Sequence, residues 1–219
     1  MNLNRRDNRP TDNLESIADQ IRQDFSAIDA AREKVLPLCR EVIRYCSLSI
    51  RAVHRQEFDK TRELLQSARN LLNESRQSIA AYTELNNTGF VRDAEKEFAE
   101  GNITLALVTG ERLPTPDELG INLSAYLNGL GEAVGEIRRY LLDSMRKGDL
   151  SRGEELLSAM DDIYNVLVTM DFPDAITGGL RRTTDIVRGI LEKTRSDLTL
   201  VIRQKDLEEK LESFEHGLK

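Results

Sequence analysis

Apolar residues recur along most of this chain at intervals of three and four, the spacing of one helix face. The pattern is longest over residues 120–149, where Leu123, Tyr126, Leu127, Leu130, Val134, Ile137, Leu141 and Leu142 form a stripe. It predicts a long amphipathic helix, capped at its start by Asn122 or Ser124 and closed by Gly148. Upstream, Ile17, Ile21, Phe25, Ile28, Val35, Leu38, Val42, Ile43 and Ile50 predict a first helix that starts at Thr11 or Asn13. Pro37 falls inside it and predicts a kink or a break. A second helix is predicted over 58–82, with Leu64, Leu65, Ala68, Leu71, Leu72 and Ile79 on its apolar side. A turn over 84–89 leads to a third helix from Phe90, acidic in its first half and apolar in its second. A connector with Pro114 and Pro116 precedes the 120–149 helix. Beyond it, Ser151 and Glu154 have the spacing of a capping box. The helix they open carries Leu156, Leu157, Met160, Ile163, Tyr164, Leu167 and Val168. A loop around Pro173, Gly178 and Gly179 separates it from a final long helix beginning at Leu180.

Short connectors between helices of this kind make an all-α antiparallel bundle of about six or seven helices. The expected organisation is a single domain over residues 1–219. Residues 1–11 are polar and aperiodic and are expected to be disordered, and 205–219 form a charged tail.

Composition narrows the function classes. A formal net charge of −7 argues against a protein that coats nucleic acid nonspecifically, but leaves room for a local basic surface. Cys39 and Cys46 stand seven apart on one helix, about 10 Å along its axis, so they cannot bridge without breaking it. Two free thiols and the lack of a signal peptide lead us to expect a reducing, cytoplasmic location. No apolar run approaches the roughly 20 residues of a membrane span. With only His54 and His216 and no Cys/His cluster, zinc is disfavoured. His54 reads as packed or solvated rather than catalytic, because no nucleophile stands near it in sequence.

The residues that could carry chemistry are acids and arginines. Glu132 and Glu136 lie at i, i+4 and project from one helix face. Gly129, Gly131 and Gly135 surround them, each costing about 1 kcal/mol relative to Ala in a helix interior. Such glycines let another chain segment come close, and two glutamates one turn apart can share a cation. The same pair can equally be a solvated face. Glu97 and Glu100, at i, i+3 and followed by Gly101, leave the same two readings open. Arg62, Arg69 and Arg76 recur every seven residues, as do Arg181, Arg188 and Arg195, with Arg182 and Lys193 nearby. Each row is either a solvated face or a set of phosphate contacts.

The stretch 126–149, YLNGLGEAVGEIRRYLLDSMRKGD, resembles the central helix of the translin/Trax family. So do Arg51-Ala-Val-His-Arg55, Pro116-Asp-Glu-Leu-Gly120, Asp171-Phe-Pro-Asp174 and Gly179-Leu-Arg-Arg182, in the same order over about 51–202. In that family, translin-like subunits bind nucleic acid and lack an acidic set. Trax-like subunits carry four acids and act as magnesium-dependent endoribonucleases. The resemblance places two of those acids at Glu97 and Glu100, counting back from Asp117-Glu118, and two at Glu132 and Glu136. Glu132 stands where the eukaryotic pattern has Asp. The chain is also shorter at its N-terminus and at the proline connector, like a compact, archaeal-type member.

The resemblance therefore implies a cytoplasmic endoribonuclease that cleaves single-stranded RNA, with Mg²⁺, or Mn²⁺ in its place, held by the four glutamates. It implies a closed homo-oligomer, an octamer in the family, with RNA or DNA inside. Arg62, Arg69, Arg181, Arg188 and Arg195 are then the nucleic-acid contacts. The alternative within the family is a noncatalytic single-stranded nucleic-acid-binding protein. A carboxylate di-iron bundle is a third reading, but it needs Glu-x-x-His pairs, and neither histidine has one.

Overall fold

In the computed structural model, which describes residues 10–86 and 88–217, the hydrophobic periodicity becomes nine helices, with no strand among those residues. They are α1 (Leu14–His54), α2 (Phe58–Ile79), α3 (Thr83–Asn86), α4 (Gly89–Thr109), α5 (Pro116–Leu119), α6 (Leu123–Arg146), α7 (Gly153–Val168), α8 (Asp174–Thr177) and α9 (Leu180–Gly217). Six are long, and α3, α5 and α8 have four residues each. The count expected from periodicity is therefore that of the long helices. None is long and apolar enough to cross a membrane among the described residues.

The centre of the bundle is the α4–α6 pair. α4 also packs on α1, α6 also packs on α7 and α9, and α2 folds back on α1. Phe98, Ile103, Ile137, Leu156, Met160 and Leu198 are completely or almost completely buried between them. Each such side chain contributes about 2 kcal/mol relative to an exposed one. The α6 stripe is inward at Leu130, Val134, Ile137 and Leu141, whereas Leu123 and Leu142 are exposed. Cys39 and Cys46 are buried and free, and burial pushes both thiols up, Cys39 to about 11.

Several local expectations are corrected. Of the kink or break expected at Pro37, the break does not occur, since α1 continues through it. Pro37 is exposed, so the Glu33 carbonyl that it leaves without a helical donor is on the solvent side. The 84–89 turn contains a turn of helix, α3. Asn122 stands at the N-cap of α6 but makes no cap bond, because its side chain is used elsewhere. Ser151 and Glu154 form no capping box. Helix α7 starts two residues later, and the Ser151 N–H goes to Asp149 instead. A capping box forms on Thr115 and Glu118, at the start of α5.

Of residues 1–11, only 10 and 11 are described. They belong to a turn that leads into α1. The tail expected at 205–219 continues α9 as far as Gly217. Both helix ends carry large apolar side chains that are exposed among the described residues. On α1 these are Leu14, Ile17, Ile21 and Phe25, and on α9 Leu200, Leu207, Leu211 and Phe214.

One buried acid ties the connectors to the core. Glu95 of α4 is 3% exposed. Its carboxylate accepts from Arg76 of α2 at 2.9 Å and from the Asn122 side chain at 2.7 Å, with the Asn122 backbone N–H at 3.2 Å. It thus joins α2, α4 and the first turn of α6. Glu95→Ala leaves the half-buried Arg76 guanidinium and the Asn122 amide without their shared acceptor and should cost about 2 kcal/mol. Glu95→Gln, which keeps the shape, should cost less. Urea unfolding measures both, and equal midpoints for wild type and Glu95→Ala would remove Glu95 from this bracing role.

Candidate metal centre

The α4–α6 crossing is close because α6 presents Gly129 to it. A Cβ there would lie 2.6 Å from both the Ala99 Cβ and the Lys96 carbonyl oxygen. Gly101, on α4, similarly leaves room for Leu65 and Ser49, at 2.9 and 3.1 Å from its missing Cβ. Gly131 makes room for Thr183 of α9, but Gly135 has no contact tighter than 3.9 Å. The expectation of close approach therefore holds at Gly129, Gly131 and Gly101 and not at Gly135.

This crossing brings acids from two helices together. Glu97, Glu100 and Glu132 each offer a carboxylate oxygen within 4.8 Å of the other two. Glu136, one turn further along α6, faces the same cluster but is engaged differently. Its carboxylate hydrogen-bonds His54 Nε2 at 2.5 Å and lies 3.6 Å from Arg139. His54 is packed, as expected, with a side chain 7% exposed, and it fastens the end of α1 to α6. Its Nδ1 is buried without a hydrogen-bond partner among the described residues. The 82-residue separation of His54 and Glu136 hides this pairing in the sequence.

The electrostatics follow from burial and crowding. Glu100 is pushed up to about 8, first by burial and then by the charges of Glu97, Glu132 and Glu136. Glu97 is raised by burial and then by Glu132, with Lys96 opposing. Glu136 is lowered, chiefly by its bond to His54. Lys96 Nζ donates to Glu132 at 2.8 Å. Burial, the largest single influence, would lower Lys96, but the bond to Glu132 together with the charges of Glu132, Glu97 and Asp93 makes the net shift upward. One face of the cluster thus has an internal cation, while Glu97 and Glu100 have no cationic side chain bonded to them among the described residues. Hard oxygen donors converging from two helices, two of them held above their ordinary range, suit a magnesium-sized cation.

The arginine rows are largely occupied within the chain. Arg62 bonds Glu111 at 2.6 Å. Arg69 donates to the Glu118 carbonyl at 3.0 Å and stacks over Phe98. Arg188 lies 3.3 Å from Asp185, and Arg195 lies 2.9 Å from Asp161. Arg181 has no ion pair among the described residues and lines a cavity of about 820 Å³ with Tyr164 and Phe172. A second hollow, of about 430 Å³, abuts the acids. Arg92 and Lys96 of α4, Glu132 of α6 and Arg182 of α9 line it. The sequence reading missed Arg92 and Lys96 as site residues. The signal for them was there, because Arg92, Lys96 and Glu100 repeat at steps of four on the acidic helix.

The comparisons agree with this architecture. The chain is 33% identical over 196 residues to MJ0175, an uncharacterized protein of Methanocaldococcus jannaschii, covering 87% of this chain and 85% of that one. Its fold is similar to AfC3PO solved in complex with duplex RNA, with a TM-score of 0.77 and 31% identity over 85% of this chain and 97% of that one. It is similar to AfC3PO alone, with a TM-score of 0.75 and 30% identity over the same shares. Apo-NeC3PO shares the fold, with a TM-score of 0.75 and 17% identity over 84% of this chain and 96% of that one. No family model matches the chain.

A raised carboxyl has a definite stability signature. Glu100 holds its proton more tightly in the folded chain than in the unfolded one. From its ordinary range up to about 8, the folded state therefore carries the extra proton, and stability falls as pH rises. In EDTA we expect a loss on the order of 3 kcal/mol between about pH 5 and 8. Glu100→Gln should flatten that decline and leave the chain more stable at the alkaline end. Thermal unfolding across this range tests it, and parallel curves for the two proteins would contradict the assigned burial cost.

Proposed function

Because this chain belongs to the translin/Trax family, we propose that it is a magnesium-dependent endoribonuclease that cleaves single-stranded RNA within a closed assembly of its own copies. The observation that carries the proposal is the meeting of Glu97, Glu100 and Glu132, with carboxylate oxygens within 4.8 Å of one another, in a partly buried crossing. Three carboxylates held so close repel one another, and no packing requirement calls for them there. A bound divalent ion would polarise the phosphate and lower the pKa of an attacking water. The chain's own part is positional. Gly129 sets how near the two acidic helices come, and His54 fixes the Glu136 carboxylate beside the cluster. Arg181, Arg188 and Arg195 on α9 remain candidates for phosphate contact, because exposed ion pairs such as those of Arg188 and Arg195 break at little cost.

A second reading has its own support. Lys96 and His54 already partner Glu132 and Glu136, so the fold can stand without an ion as a noncatalytic RNA binder. Metal dependence separates the two. With Mg²⁺ or Mn²⁺, wild type should cut labelled single-stranded RNA and should stop in EDTA. Glu97→Gln and Glu132→Gln should each lower cleavage at least about 100-fold and weaken Mn²⁺ binding in calorimetry. RNA affinity should hold or rise as a negative charge is lost. Cleavage unchanged by chelation or by both substitutions would leave the binding reading. A duplex of the same sequence, run alongside, tests the preference for single strands.

Assembly is tested separately. The uncovered apolar residues at the ends of α1 and α9 are the kind of surface that marks a protein–protein contact. Light scattering should give a mass several times 24.9 kDa at micromolar concentration. A monomer at that concentration would remove the closed assembly from the proposal.

A further inference from the structure

Arg92 and Arg182 stand out in a chain with more acids than bases. Neither guanidinium has a hydrogen bond or ion pair among the described residues, although most arginines of the molecule are paired. They come from different helices, α4 and α9, and line the same hollow of about 430 Å³. That volume falls in the range of small-ligand clefts. Lys96 adds a third cation to it, and Asp93 and Glu132 are its acids. The Lys96 ammonium is taken by Glu132, so the two free arginines outweigh Asp93 and the hollow is net basic. It is also continuous with the acidic cluster, since Glu132 belongs to both.

We propose that this hollow holds a backbone phosphate of the RNA strand next to the one presented to the acids, with Arg92 and Arg182 as its two arms. The inference rests on the RNA-cleaving or RNA-binding reading above. Guanidinium is the side chain best matched to phosphate, because its planar fork can donate two bonds at once. Two forks on separate helices would fix the strand across the α4–α6–α9 junction. A strand anchored there lies alongside the glutamates, so the arginines set its register at the acids without touching the reacting bond. Ser124 also faces the hollow and can donate to the same group. Nothing in the sequence rows at seven-residue spacing points to this pair, since Arg92 belongs to neither and Arg182 is one residue off the second.

The test is binding of a labelled single-stranded oligoribonucleotide to the full chain in EDTA, followed through a salt titration. Arg92→Gln with Arg182→Gln should weaken binding about tenfold or more, and should reduce the steepness of the log–log salt plot by about 0.7, the value for one lost phosphate contact. Arg188→Gln with Arg195→Gln should do distinctly less. Arg92→Lys with Arg182→Lys should recover most of the salt slope, because the charge returns. Mn²⁺ affinity should be unchanged in the Gln pair, showing that the acidic cluster is intact. Wild type that binds RNA while the Gln pair keeps its affinity and slope overturns the hollow alone. Equal losses from the two Gln pairs overturn it as well, since that is diffuse surface charge. Wild type that binds no RNA, with or without Mn²⁺, overturns both this inference and the functional reading beneath it.

Discussion

The constraint on which the rest depends is the closeness of α4 and α6. Gly129 lets the two backbones meet with room for no side chain between them, its missing Cβ only 2.6 Å from the Lys96 carbonyl oxygen. Glu97 and Glu100 lie just after that carbonyl on α4, and Glu132 lies three residues after Gly129 on α6. Their convergence is therefore a direct consequence of the crossing. The unfavourable part is twofold: weak helix-forming residues in α6 and like charges in a partly dry site. What offsets it is the core on the other faces of the same helices, where Phe98, Ile103, Val134 and Ile137 are fully buried. A site that is costly by itself is carried by the well-buried faces of the two helices that form it.

Charge around that crossing is arranged in layers. Innermost, Glu97 and Glu100 have only other acids and the more distant Lys96 around them, and both are raised. Next, Glu132 and Glu136 each meet one internal partner, Lys96 from the neighbouring helix and His54 from the end of α1. Outside these lie Arg92 and Arg182, whose guanidiniums have no ion pair among the described residues. From outside inward the order is arginine, acid with its own cation, and unshared acid, so a phosphate strand would meet the arginines before the inner acids. It also separates two jobs: the inner acids suit a hard cation, and the outer arginines suit an anion.

Much of this was legible in the sequence, for identifiable reasons. The six long helices follow from the three-and-four spacing of apolar residues, which persists wherever one face is buried. Glu97, Glu100 and Glu132 were legible because they stand at helical steps beside glycines and match the order of the translin/Trax motifs. What could not be read depends on contacts between distant segments. His54 meets Glu136 across 82 residues, and the hollow needs α4 and α9 side by side. Local rules failed at two helix starts. The Asn122 side chain serves the distant Glu95 rather than its own helix, and the Ser151 N–H is taken by Asp149 in a local turn. The arginine row on α2 had a genuine seven-residue period, but its members brace the connector and α4 instead of standing free.

The two uncovered helix ends complete the physical picture. Periodicity predicted that Ile17, Ile21 and Phe25 continue the buried stripe of α1, yet Phe25 is 66% exposed and the stripe outruns the body of the bundle. The end of α9 does the same, with Phe214 at 68%. A sequence pattern records which residues are to be kept from water, not which chain keeps them so. In this bundle the core ends before the apolar faces do, and the remaining faces are amphipathic helix surfaces with charged residues on their other sides. Such surfaces gain most by pairing with similar ones, at about 25 cal/mol for each Å² of apolar area removed from water. On the proposed function, the acids, the hollow and the helix ends would take three different partners: a cation, a phosphate strand and further protein. The first two would bind within a few side chains of each other, at a crossing whose geometry the protein sets for itself.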